Sequence, residues 1–300
     1  MNNRFISWIL FTVLCIIWGS SFKLMHDSQQ GLSAVQIAAL RIFSAGLVFL
    51  PFAFFHFSKV PRKKLGLVIL SAVFGNLLPA FLFAEAITKL DSSLAGILNS
   101  LTPICAVVVG IFFFRDRIKS QKIVGVLTGF LGLILLTILP LLIEKKEISF
   151  DNLSYTLLIV AATFLYGINV NMVGHYLKDV HPVHNATVAL AFMIIPSGIV
   201  LLQQGFFQLN FHDVHVQNAV TSSVVLGIVC SAIATAIFYM LVQRAGILFA
   251  SLVTYGIPFI ALGWGLIDGE DITWVQPFCL AIILLGVYLA NRPEKAKAVK

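Results

Sequence analysis

Lys23, Arg41 and Glu85 are charged side chains lying well inside long apolar runs. An ionisable group in hydrocarbon costs about 2.5–3.5 kcal/mol or more, so it normally faces protein or a wet cavity. Lys23 and Glu85 sit about one helical turn from a run's end, close enough for the head group to snorkel to the interface. Arg41 lies eight residues past Ser33, about 12 Å down a helix at ~1.5 Å per residue. That depth leaves two roles. Arg41 and Glu85 could share a cavity and bind each other or a charged solute, or Arg41 could tie to backbone carbonyls of a neighbouring helix.

Polar residues in apolar runs give the second signal. Ser231, Thr235, Tyr239 and Gln243 recur every four residues and form one stripe of a helix. Ser251, Thr254 and Pro258 share a face, as do Asn99 and Pro103, and Tyr166 and Asn169. Hydrogen bonds and close packing between helices account for many such positions in any membrane bundle. Pro103 and Pro258 add a reason to expect a cavity, because each frees a carbonyl that neighbours or water must satisfy. Trp18, Phe22, Tyr255 and Trp264 could line it or simply pack. The residues expected to bind a solute are therefore Trp18, Arg41, Glu85, Asn99, Asn169, Tyr239, Thr254 and Tyr255, with Pro103 and Pro258 as helix breaks.

The elements holding these residues follow from composition. The 300 residues are 59% hydrophobic and only 11% charged, against roughly 25% charged in soluble domains. Mean hydropathy is +0.97. Surface this apolar must face lipid. Runs such as 65–86 and 123–139 lack the alternation of a barrel strand, and about 20 apolar residues cross a bilayer as a helix. The fold class is an all-α polytopic membrane protein. The first run, 5–25, exceeds a signal-peptide core and has no convincing cleavage site, so it is read as a helix.

Ten spans are expected, near 5–25, 33–55, 65–88, 93–114, 121–140, 153–173, 184–203, 219–242, 247–267 and 275–291. With a cytoplasmic N-terminus, inside segments carry fifteen cations, including Lys59, Arg62, Lys63, Lys64, Arg115, Lys178 and Arg244. Outside segments carry three, Lys89, Lys145 and Lys146. That bias places both termini in the cytoplasm. The same clustering argues against nucleic-acid binding as the reason for the net charge of +7.

Five spans per half force the second half to enter from the opposite side. The segment 95–103 matches 250–258 at an offset of 155, with Asn99 on Thr254 and Pro103 on Pro258. Gly110 falls on Gly265, and Lys89 on Arg244. After a one-residue shift, Asp116-Arg117-Ile118 matches Glu270-Asp271-Ile272, and Gly132 matches Gly286. Two units are expected, 1–146 and 147–300, as inverted five-helix repeats. Gly125, Gly129 and Gly132 permit a close helix approach in the fifth span, expected against the tenth; the oligomeric state is monomer or weak dimer.

Trp18-Gly19-Ser20-Ser21, Arg41, Ala86-Ile87 with Ser92-Ser93, Pro103 and the acid opening the following loop together resemble the EamA type of the drug/metabolite transporter superfamily. Gly269-Glu270 keeps that family's Gly-Glu pattern, whereas Arg115-Asp116 stands in its place in the first half, and Tyr166-Gly167 replaces Trp-Gly in the second. The resemblance implies ten helices, a central cavity and transport of small metabolites, commonly export, at the cell (inner) membrane. The implied substrates are amino-acid-like, aromatic or drug-like solutes. No Walker A motif is present, and a coupling proton at Glu85 is one expectation. A channel is the nearer alternative. An integral-membrane enzyme is the further one, because the dense acids Asp268, Glu270 and Asp271 read as a helix-start motif. Four scattered cysteines and the His181/His184 and His212/His215 pairs lack a complete metal set, so no cofactor or metal is expected.

Overall fold

A computed structural model describes residues 3–115, 120–143, 150–245, 249–250 and 252–291. Among these, the chain forms ten helical rods and no strand. They are α1 (Asn3–Ser28), α2 (Ala34–Phe57), α3 (Leu65–Ala72 and Leu78–Ile87, joined by a π-turn over Val73–Leu77), α4 (Ser92–Asn99, then Thr102–Phe114) and α5 (Ser120–Ile143). The second half supplies α6 (Phe150–Tyr176), α7 (Pro182–Phe192 and Ile194–Gln203), α8 (Val214–Gly227 and Ala234–Ala245 around a π-turn over Ile228–Ile233), α9 (Val253–Asp268) and α10 (Val275–Asn291). Seven described helices are long and apolar enough to cross a bilayer, and three described apolar helices are shorter. Large apolar side chains face outward, Phe54 at 85% exposure, as a lipid-facing surface requires.

Successive rods reverse direction, so their connections gather at two ends. At one end the Gln36 side-chain amide donates to the Gln204 carbonyl (2.9 Å). At the other, Lys64 donates to the Tyr176 carbonyl (2.9 Å) and pairs with Asp179. Lys64 holds the Asp179 carboxyl below its ordinary range. Both links join the first half of the chain to the second.

The glycines of α5 meet α10, as their spacing predicts. A Cβ at Gly286 would lie 2.4 Å from the Gly129 nitrogen, and one at Gly125 2.3 Å from the Ala290 nitrogen. Backbone rests on backbone here, a contact that only glycine allows.

Two boundaries differ from the sequence reading. α8 begins at Val214 rather than near 219, because the Asp213 carboxylate accepts from the His215 N–H (2.8 Å) and caps the helix. His181 likewise caps α7, its ring nitrogen accepting from Val183 N–H at 3.3 Å. The second difference concerns Pro258. α4 does break, at Ser100–Leu101 just before Pro103, but α9 runs unbroken through Pro258 from Val253. Pro258 falls early in that helix, and the chain tightens one turn sooner, where Tyr255 N–H bonds the Leu252 carbonyl (3.0 Å).

α4 and α9 both end in a left-handed residue, Arg115 (φ 57°) and Gly269 (φ 75°). At Gly269 the turn is a Schellman motif: Glu270 N–H reaches back to the Gly265 carbonyl (2.9 Å) and Gly269 N–H to Leu266 (3.4 Å). Arg115 adopts the same conformation with a Cβ, which crowds the following carbonyl. Arg115→Gly is therefore expected to stabilise the protein by up to about 1 kcal/mol, read as a higher melting temperature in detergent; an unchanged or lower value would contradict it.

Candidate functional site

A cavity of about 290 Å³ lies in the middle of the bundle, lined from α1, α2, α3, α4, α6, α8 and α9. Four residues singled out from sequence face it: Trp18, Arg41, Asn99 and Thr254. Tyr166, Ser231, Thr235 and Phe22, also noted in the sequence, line it too, and the structure adds Asn76, Thr102 and Phe83.

The cavity sits where the helices depart from regular spacing. A π-turn carries one extra residue, which rotates the chain and detaches a carbonyl from its ladder. In α8 the freed groups find partners on α1 and α2. Trp18 Nε1–H donates to the Cys230 carbonyl (3.0 Å). Arg41 Nε–H donates to Ser231 Oγ (3.1 Å), which in turn donates to the Leu226 carbonyl five residues back (3.3 Å). Gly227 makes this approach possible, since a Cβ there would stand 2.4 Å from the Arg41 carbonyl oxygen. In α4, Pro103 cannot donate to the Asn99 carbonyl, and the Thr102 hydroxyl does so instead (2.8 Å).

The lining residues pair across the two halves. The π-turns begin at Val73 and Ile228, 155 residues apart. The same separation relates Gly75 to Cys230, Asn76 to Ser231, Asn99 to Thr254 and Thr102 to Ile257, all on the cavity wall. A separation of 148 relates Trp18 to Tyr166, both also lining it. The glycines that follow them do matching work: Gly19 lies against Ile257 and Ile260 of α9, and Gly167 against Cys105 and Ala106 of α4. The notable exception is Arg41, whose counterpart at 148 is Ala189.

The other expected site residues lie elsewhere. Glu85 is exposed and does not line Arg41's cavity, so the expected pairing of the two is not formed. Its helix turns that face outward near its end. Asn169 packs behind the cavity, its amide against Gly75 and its Oδ1 buried without a partner among the described residues. Tyr255 and Trp264 are also off the wall; Trp264 Nε1–H donates to Ser20 Oγ (2.7 Å). Tyr239 and Gln243 line a second, smaller cavity of about 150 Å³ between α2, α7 and α8, and Thr235 borders both cavities. The four-residue stripe of α8 is thus a polar track from the central cavity toward the end where α8 meets Ala245. Ser251 lies outside the described residues. Asn76 was the residue that sequence reasoning missed most directly, since shifting Ser231 back by 155 would have found it.

Past Phe22 and Phe83, whose rings lie 5.9 Å apart, the opposite end is tied shut. Lys23 Nζ pairs with Asp27 (3.0 Å) on its own helix and with Asp268 (2.8 Å) on α9. The Trp264 ring lies 5.7 Å from that ammonium. Glu270, leaving the turn after α9, caps α4: Oε1 accepts from Ser92 N–H (2.9 Å) and Oγ–H (2.7 Å), and Oε2 from Ser93 N–H (3.1 Å). Asp268 and Glu270 therefore both have structural partners, one across to α1 and one at the start of α4.

An α-helical bundle with a lipid-facing exterior and a polar central cavity defines a multi-pass membrane protein. The family profile described as the EamA-like transporter family matches residues 6–138 and again 153–292, and the chain belongs to that family of membrane transporters. An uncharacterized transporter from Archaeoglobus fulgidus is 24% identical over 286 residues, covering 95% of this chain and 98% of that protein. A WAT1-related chloroplastic protein from Arabidopsis thaliana is 22% identical, covering 98% of this chain and 71% of its own. A crystal structure 16% identical in sequence matches 96% of the chain with a TM-score of 0.59, which supports the fold.

The Glu270 cap makes the closed end testable. Glu270→Ala removes three hydrogen bonds from the start of α4 and is expected to cost about 1–2 kcal/mol. A melting temperature equal to that of the unaltered protein would show that the cap contributes nothing.

Proposed function

We propose that the protein is a secondary transporter that moves small metabolites by alternating access, outward from the cytoplasm. The observation that carries this reading is the central cavity, walled by residues that pair between the two halves at separations of 155 and 148. Residues 1–146 and 147–300 act as two five-helix repeats of opposite orientation, and rocking one against the other exposes the cavity to each side in turn. The excess of cations on the connections at 58–64, 115–122 and 177–181 argues that these ends and both termini are cytoplasmic. On that reading the Lys23–Asp268 pair closes the outer side, and the Thr235–Tyr239–Gln243 track leads inward.

Purified protein in proteoliposomes is expected to give saturable uptake accelerated by unlabelled solute inside, when screened with amino acids, aromatic metabolites and cationic dyes. Flux that rises linearly with concentration and ignores internal solute would indicate a channel. Reporter tags on the two ends should both be protected from external protease in intact cells; opposite protection would refute the inverted arrangement.

A further inference from the structure

We infer that the central cavity takes a small organic anion with an apolar, preferably aromatic body, bound through Arg41; this rests on the transporter reading above. Arg41 is half-buried, and its Nε–H is held by Ser231. No carboxylate lies within ion-pair distance of it among the described residues, and none lines the cavity. Its terminal nitrogens Nη1 and Nη2 have no protein acceptor among the described residues. A guanidinium fixed at Nε presents those two nitrogens as a fork that matches the two oxygens of a carboxylate or sulfonate.

The pairing of the wall strengthens the assignment. The wall positions pair across the two halves, Trp18 with Tyr166, Asn76 with Ser231 and Asn99 with Thr254, each polar or aromatic on both sides. A scaffold role for Arg41 would call for a polar partner position in the second half, yet Ala189 stands there. The charge is therefore not required by the architecture. A half-buried guanidinium without a counter-charge is costly until an opposite charge neutralises it, and among the described residues no carboxylate does so. Trp18, Phe22, Phe83 and Tyr166 supply the surface for the apolar body. A cation would meet like charge and no counter-charge.

The test uses full-length protein in lipid nanodiscs and proteoliposomes with permanently charged probes, which removes pH partitioning: 3-phenylpropanesulfonate, trimethyl(3-phenylpropyl)ammonium and neutral 3-phenylpropanol. The sulfonate should bind saturably, and the ammonium and alcohol at least tenfold more weakly. Arg41→Gln should weaken sulfonate binding at least tenfold with its elution profile unchanged, and Arg41→Lys should keep part of it. Equal binding of the ammonium or alcohol, no sulfonate binding, or full binding by Arg41→Gln would overturn the inference. Should that variant fail to fold, the ranking of the three probes in the unaltered protein decides. Sulfonate binding without counterflow would sink the transport reading and leave the anion site standing. Counterflow of the ammonium but not the sulfonate would do the reverse.

Discussion

Hydrocarbon offers no hydrogen-bond partner, so every backbone group inside the bilayer must find one within the protein. This constraint organises the molecule. Where α4 and α8 depart from regular spacing, side chains of the same rod or of a neighbour repair the break, and at α8 the repairs tie it to α1 and α2. Trp18 repairs α8 at Cys230, Thr102 repairs α4 at Asn99, and Ser231 both repairs α8 at Leu226 and holds Arg41. The breaks gather around one volume. The cavity is thus a product of interrupted backbone, with polar side chains there because irregular helices need them.

Close packing supplies the second half of the explanation. Without a hydrophobic drive between helices in lipid, association depends on backbones approaching closely. Gly19, Gly167 and Gly227 allow this beside the cavity, and Gly125, Gly129 and Gly286 allow it at the α5–α10 seam. The cavity-side glycines bring α1 onto α9, α6 onto α4 and α8 onto α2. The α5–α10 pair stands apart from the cavity wall and braces the two halves against each other.

Much of this was legible from residue types. Apolar length gave the rods, and the Asn99/Thr254 correspondence led to two facing walls of the cavity. Arg41 stood out because its depth ruled out snorkelling. Glu85 misled because sequence fixes how far along a helix a residue lies but not which way it faces once α3 turns past its π-turn. The π-turns carry no signature of their own: Gly75 and Asn76 fall inside Val73–Leu77, and Gly227 precedes Ile228–Ile233, but such residues also occur in regular membrane helices and do not by themselves mark an inserted residue. Pro258 misled for a related reason, since a proline removes one ladder bond but, as α9 shows, need not end the helix that contains it.

The solitary guanidinium also has an electrical consequence. One elementary charge carried across the full membrane potential is worth about 2.3 kcal/mol per 100 mV. In the proposed transport cycle, any displacement of Arg41 through part of that field would couple the vacant protein to voltage. Neutralised by the proposed anion, the same movement would carry no net charge, so the resting potential would govern the return stroke and leave the loaded one unaffected.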